Sequence, residues 1–127
     1  MDADLQQSAN DLDTAAAVGR AASLWIRRQT VAGELGLSSA ATATQAYAAG
    51  VIIGLCDGLR LGRQMVELVA YVTAQLDGHG AGALNAARAM LAASSNPTAA
   101  MDVALGKAAA RKLIGTVRES LRVPDSP

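Results

Sequence analysis

Apolar residues recur at intervals of three and four along most of the chain, and the period-two alternation of β-strands is nearly absent. Clusters of glycine, serine, asparagine and proline interrupt this pattern near residues 33–36, 77–82 and 94–97. A helical period broken by short turns is typical of helix bundles. The pattern therefore predicts an all-α fold of about four helices in a bundle.

The interruptions leave four predicted helices, at about 4–32, 39–76, 83–93 and 97–122. The second of them is the long central helix of the predicted bundle. Asn96 and Pro97 suit the N-cap and the first helical position of the last helix. We expect residues 1–123 to form a single domain and residues 124–127 a disordered tail.

The second predicted helix carries glycines one helical turn apart, which we call the glycine ridge: Gly50, Gly54, Gly58 and Gly62. A glycine in a helix interior costs about 1 kcal/mol relative to alanine, so a close contact must compensate for the ridge. On a helical wheel the glycines lie on the apolar side, opposite a polar arc. The apolar side chains of this predicted packing surface are Leu55, Leu59, Met65, Val66 and Val69.

A helix face without side chains lets a second helix approach until the two backbones nearly touch. That second helix can be the first or last helix of the same chain. It can also come from a second copy, which would make the ridge a glycine zipper in a homodimer or larger oligomer. A third alternative is that the glycines break the helix near residues 58–62 into two shorter helices.

The composition favours such close packing. The chain has 29 alanines and no phenylalanine, with Trp25, Tyr47 and Tyr71 as its aromatic residues. Small side chains bury little apolar area each, so stability must come from close backbone approach or from a partner. Trp25 lies opposite the apolar face of the first helix, which suits either packing within the chain or anchoring a partner.

Charge does not point to a polyanionic partner, because acidic and basic residues balance at 11 each. The last helix nevertheless carries a basic stripe: Lys107, Arg111, Arg118 and Arg122. The stripe can be solvated, or it can pair with the acidic N-terminal segment within the fold or between copies. Contact with nucleic acid or an anionic membrane surface is less favoured, because the helix lacks aromatic residues that stack on bases or anchor in an interface.

The sequence indicates no catalytic, cofactor or metal site. Cys56 is a lone cysteine beside Asp57, whose charge would raise the thiol pKa and oppose a reactive thiolate. His79 is a lone histidine in a glycine-rich loop near Asp77, without the further ligands that a metal needs. The pairs Asp57–Arg60 and Arg63–Glu67 have the spacing of surface ion pairs on a helix.

We therefore expect a non-enzymatic helical interaction or assembly protein that binds itself or a partner helix through the glycine ridge. One alternative is a translocated or membrane-active helical effector. Another is a small ligand-binding or catalytic bundle, with a polar, buried cluster near Asp57, Arg60 and Glu67. Acidic residues at the start and no long apolar run lead us to expect a cytoplasmic protein, with signal-less export left open.

Overall fold

The computed structural model describes residues 2–32 and 42–122, and the side chains of residues 10–29 and 42–119. Within these residues every element is helical, which confirms the all-α fold. The five α-helices are α1 (Asp2–Ala32), α2 (Ala43–Gly58), α3 (Arg63–Leu76), α4 (Ala83–Ala93) and α5 (Ala100–Arg122). Single 3₁₀ turns, Gly80–Gly82 and Pro97–Ala99, precede α4 and α5.

The long central helix predicted over residues 39–76 is wrong, because the chain breaks between α2 and α3. Arg60 has a φ of +58°, in the left-handed region that ends helices. The Leu61 N–H donates to the Cys56 carbonyl (2.8 Å), and the Arg60 N–H donates to the Asp57 carbonyl (3.1 Å). These two hydrogen bonds form a Schellman motif, with arginine at the position where glycine is usual.

The other predicted helices agree with the structure to within a few residues. The Asn96 side chain accepts a hydrogen bond from the Thr98 N–H at 3.1 Å, and Pro97 follows it at the first helical position. These contacts confirm the predicted N-cap. The predicted loop at 33–36 and the predicted tail at 124–127 lie outside the described residues.

Helix α2 lies at the centre of the fold, where it packs along α5 and also contacts α4. Helix α1 packs mainly on α3, and α3 packs on α4. The largest fully buried apolar side chains come from four of the five helices: Val18, Val51, Ile52, Leu55, Val69 and Val117. The core is therefore made of medium-sized aliphatic side chains with alanines between them, as the composition indicates.

An ion pair joins α1 to the end of α3. Arg27 Nε lies 3.4 Å from Asp77 Oδ1, and the Ser23 hydroxyl donates to the same oxygen at 2.8 Å. Arg27 also donates to the carbonyl of Leu76, so a cation sits at the C-terminus of α3, where the helix dipole favours it.

The predicted pairs Asp57–Arg60 and Arg63–Glu67 are not formed in the structure. The break between α2 and α3 removes the helical spacing that would bring Asp57 and Arg60 together. Arg63 and Glu67 share α3 and are both exposed, but they form no ion pair with each other among the described side chains.

Candidate interaction site

The glycine ridge faces α5 of the same chain. A Cβ atom built on Gly50 would overlap the carbonyl oxygen of Val103 and lie 3.1 Å from the Cα of Gly106. A Cβ atom built on Gly106 would in turn overlap the Tyr47 carbonyl oxygen and lie 2.7 Å from the Val51 nitrogen. The two helix backbones are therefore in direct contact where Gly50 crosses Gly106.

The next two ridge glycines follow α5 towards its C-terminus. A Cβ atom on Gly54 would lie 2.7 Å from the Cβ of Ala110, and one on Gly58 would overlap the end of the Ile114 side chain. Because both helices advance together through these contacts, α2 and α5 run parallel. Gly62 is not part of this surface: it precedes α3, and the nearest atom to its Cβ position is the Gln64 side-chain oxygen at 3.3 Å.

Of the arrangements that the sequence left open, the structure therefore fills the ridge with the last helix of the same chain. The apolar residues assigned to this surface lie in the core of the chain: Leu55, Met65 and Val69 are buried, and Leu59 and Val66 are half-buried. Sequence reasoning missed Gly106 as the partner of Gly50. The signal was its place between Val103 and Ala110, at helical spacing on the apolar face of the last helix.

A glycine outside the ridge, Gly19, lies where α1 crosses α3. A Cβ atom on Gly19 would lie 2.7 Å from Cγ1 of Val72. Trp25, further along α1, is half-buried, and its indole N–H donates to the Tyr47 hydroxyl at 2.9 Å. In this structure Trp25 therefore packs within the chain and ties α1 to α2.

The outer surface carries a groove that the sequence did not predict, which we call the α3 groove. It is open, has a volume of about 650 Å³ and lies between α1, α3 and the start of α4. Its lining is mainly apolar with acidic residues: Asp11, Gln64, Met65, Glu67, Leu68, Tyr71, Gly80, Ala81 and Leu84. Leu84 is 48% exposed there, and Leu12, next to Asp11, is 56% exposed.

The α3 groove continues between α3 and α4. Leu84 and Glu67 also line a smaller depression that reaches Ala87, Arg88 and Leu91. Glu67 and Leu91 in turn line a cleft of about 540 Å³ that includes Asp57 and Arg63. Asp57 and Glu67 share this cleft, but both side chains are exposed, whereas the ligand-binding alternative required a buried cluster. Arg60 is exposed and does not line this cleft, so the predicted cluster is incomplete.

The basic stripe divides into residues with different surroundings. Lys107 and Arg111 are exposed on α5, and no ion pair to either appears among the described side chains. Arg118 is also exposed, but its Nη2 donates to the Gly58 carbonyl at 2.9 Å. The side chains of Arg122, Asp2 and Asp4 lie outside the described part of the chain. The structure therefore gives Arg118 a role in capping α2.

The residues singled out for chemistry lie apart. His79 is exposed in the turn after α3, while Asp77 is bound by Ser23 and Arg27. Among the described residues, no three histidine, cysteine or acidic side chains are grouped to hold a metal ion. Cys56 is fully buried. Burial raises the pKa of the Cys56 thiol from 9.0 to about 12, and the charge of Asp57 adds to the rise.

The raised thiol pKa predicts a pH-dependent stability. The folded thiol stays protonated up to about pH 12, whereas in the unfolded chain it ionises near 9.0. The contribution of the protonated Cys56 thiol to the free energy of unfolding is thus complete below pH 9, and it is lost as the pH rises towards 12. We expect the parent to lose stability relative to Cys56→Ala over this interval in urea unfolding. A constant difference between the two proteins would contradict the assignment.

A comparison of the chain with protein-family models, curated proteins and solved structures finds no match. In the described part of the chain, none of the helices combines the length and the apolar character needed to cross a bilayer.

Proposed function

We propose that this chain is a non-enzymatic assembly protein that associates with copies of itself, with α5 of one copy seated in the α3 groove of the next. The observation that supports the proposal is that one molecule carries both an apolar groove with acidic residues and an exposed helix face with basic ones. Because the ridge glycines on α2 are already covered by α5, we place the interface on these outer surfaces.

The α3 groove suits a helix as its occupant. Leu68, Tyr71 and Leu84 supply an apolar floor and wall, and Asp11 and Glu67 add negative charge. Grooves of this kind bind the apolar face of an amphipathic helix, whose anchors recur at intervals of three, four and seven residues. The acidic residues favour a helix whose apolar anchors are flanked by lysine or arginine.

The outer face of α5 has that pattern. On the side away from α2, apolar residues recur at intervals of three and four: Met101, Ala104 and Ala108. The Met101 side chain is 65% exposed. Lys107 and Arg111 lie next to this apolar line, and both are exposed. Methionine adapts to irregular apolar surfaces, so Met101 is the natural anchor in the groove.

The two surfaces belong to different parts of the molecule, so the contact between copies is head-to-tail. Such a heterologous contact closes into a ring, the smallest of which is a dimer with two reciprocal contacts, or continues as a filament. The overall charge of zero agrees with this arrangement, because the acidic surface of one copy can neutralise the basic surface of the next.

Complementary charge reversals test the proposal. The groove variant is Glu67→Lys with Leu84→Lys, and the helix variant is Lys107→Glu with Arg111→Glu. We expect the parent mass in sedimentation to rise with concentration, and each variant alone to remain a single chain. Arg20→Glu, on an exposed part of α1 outside the groove lining, is the control and should assemble like the parent.

The equal mixture of the two variants is the decisive sample. Each variant keeps one intact surface, so the mixture should form complexes between unlike chains that neither variant forms alone. A parent that stays a single chain at millimolar concentration would overturn the proposal, as would variants that assemble like the parent. A mixture with no complex between unlike chains would show that these two surfaces do not meet.

A further inference from the structure

The link between α2 and α3 joins two helices whose sequence has the pattern of one. Apolar residues keep helical spacing across the break, at intervals of four, seven and three residues: Leu55, Leu59, Val66 and Val69. The break instead depends on Arg60, a residue with a side chain held in the left-handed region. Such a conformation is costly for residues other than glycine. The link is therefore short and strained.

One residue of the basic stripe, Arg118, stabilises the end of α2 at the break. In a continuous α-helix the carbonyl of Gly58 would accept the N–H of Gly62, four residues later. In the structure that carbonyl accepts a hydrogen bond from Arg118 Nη2 at 2.9 Å instead. Arg118 of α5 thus satisfies a carbonyl that the end of α2 leaves without its helical donor. The Gly58 carbonyl oxygen therefore has a hydrogen-bond donor whether the helix breaks after α2 or continues into α3.

Most of the helix contacts in the fold join a helix that precedes the link to a helix that follows it. Helix α2 packs along α5, and α1 packs on α3, while α1 and α2 contact each other much less. The two halves of the chain, residues 2–58 and 63–122, therefore complete one another's core. If the link opened, a second copy could supply each half with the same contacts. Short strained links in this position favour exchange of identical segments between copies.

We propose that α2 and α3 can join into one continuous helix, giving a domain-swapped dimer in which residues 2–58 of one copy pack against residues 63–122 of the other. The strain at Arg60 is then released. Gly62, which lies off the ridge in the single chain, falls one turn beyond Gly58 on the continuous helix. The four-glycine ridge becomes uninterrupted and faces α5 of the second copy. This dimer does not depend on the α3 groove.

Two single substitutions shift the equilibrium in opposite directions. Gly62 has a φ of −69° and only the Gln64 side chain near its Cβ position, so Gly62→Ala is tolerated in the single chain. Alanine also favours the continuous helix about fivefold per chain, and two links open in each dimer. We therefore expect the dissociation constant to fall by about 25-fold. Arg60→Gly relieves the strain of the closed link and should raise the dissociation constant by a similar factor.

The experiment is refolding from urea at millimolar concentration, followed by chromatography of the diluted sample. Gly62→Ala should give more dimer than the parent, and Arg60→Gly should give less. Gly82→Ala is the matched control, because Gly82 also precedes a helix and has open space around it. It should leave the fraction of dimer unchanged.

A mixed-label sample identifies the swap itself. Gly62→Ala chains with and without isotopic labels are refolded together. Isotope-filtered NOEs should then connect Gly58 of one chain to the Ile114 methyl group of the other. A dimer lacking these NOEs, or a Gly62→Ala protein that remains a single chain, would overturn the proposal. A head-to-tail dimer through the α3 groove would not produce these NOEs, so the two proposals can fail separately.

Discussion

Gly106→Ala is expected to lower the free energy of unfolding by about 3 kcal/mol, although alanine is the better helix former. The added methyl group would overlap the carbonyl oxygen of Tyr47 and crowd the nitrogen of Val51. Both are backbone atoms within α2, so no side chain can turn away to make room. The only relief is to separate the two helices, which loosens the packing on both sides of the crossing.

Gly115→Ala is the matched control for this prediction, because it makes the same change nine residues later on the same helix. Gly115 is exposed, and a Cβ atom there would meet nothing within 4 Å. We expect a gain of up to about 1 kcal/mol from the higher helix propensity of alanine. Urea unfolding followed by circular dichroism measures both variants. Equal effects of the two substitutions would show that α2 and α5 do not touch at Gly106.

The second large effect concerns the contact between Gly54 on α2 and Ala110 on α5, which is the next one along the ridge. A pair of substitutions there moves a methyl group from one helix to the other. Gly54→Ala places its Cβ against the Cβ of Ala110, which lie 2.7 Å apart, and should cost about 2 kcal/mol. Ala110→Gly alone should cost about 1 to 2 kcal/mol, from lower helix propensity and lost packing. The double variant moves the methyl group from α5 to α2 and removes the clash.

We therefore expect the double variant to be more stable than the sum of the single effects predicts, by about 1 kcal/mol or more. The recovery is partial, because the Cβ on Gly54 also lies 3.1 Å from the Cα of Lys107. A double-mutant cycle of unfolding free energies gives this coupling directly. Strictly additive effects would mean that Gly54 and Ala110 are not in contact.

Glycines at strict helical spacing are a local signal, so the sequence alone indicated a close-packing surface on this helix, although Gly62 lies off it in the structure. The sequence could not say which helix would cover the ridge, since helices of the same chain and of a second copy present similar small residues. Gly106 was overlooked because it is a single glycine in α5. Its importance depends on Gly50, 56 positions earlier, and only the three-dimensional fold brings the two together.

The break between α2 and α3 was offered only as an alternative, for a physical reason. Helix ends are usually marked by glycine in the left-handed region, as at Gly78 after α3, which has a φ of +89°. At the end of α2 the left-handed residue is Arg60, and the glycines on either side of it have negative φ or lie within a helix. The apolar spacing continues across the break, so periodicity gave no warning of it.

The α3 groove was beyond sequence reasoning, because its walls come from three different elements. Leu68 and Tyr71 on α3 meet Leu84 only after the turn at residues 77–82 folds α4 back. Leu12 is an exception on α1: it shares the helical spacing of Ala15, Gly19, Ala22 and Ile26, which are all buried, yet it is 56% exposed.

The packing of α5 on the glycines of α2 is tested most directly by an NOE measurement on a dilute sample whose mass is that of one chain. We expect strong cross-peaks between the Hα atoms of Gly50 and those of Gly106, because the two backbones touch there. Cross-peaks from Gly54 to the Ala110 methyl group should accompany them. If these signals are missing from the single chain, α5 does not cover the glycines of α2.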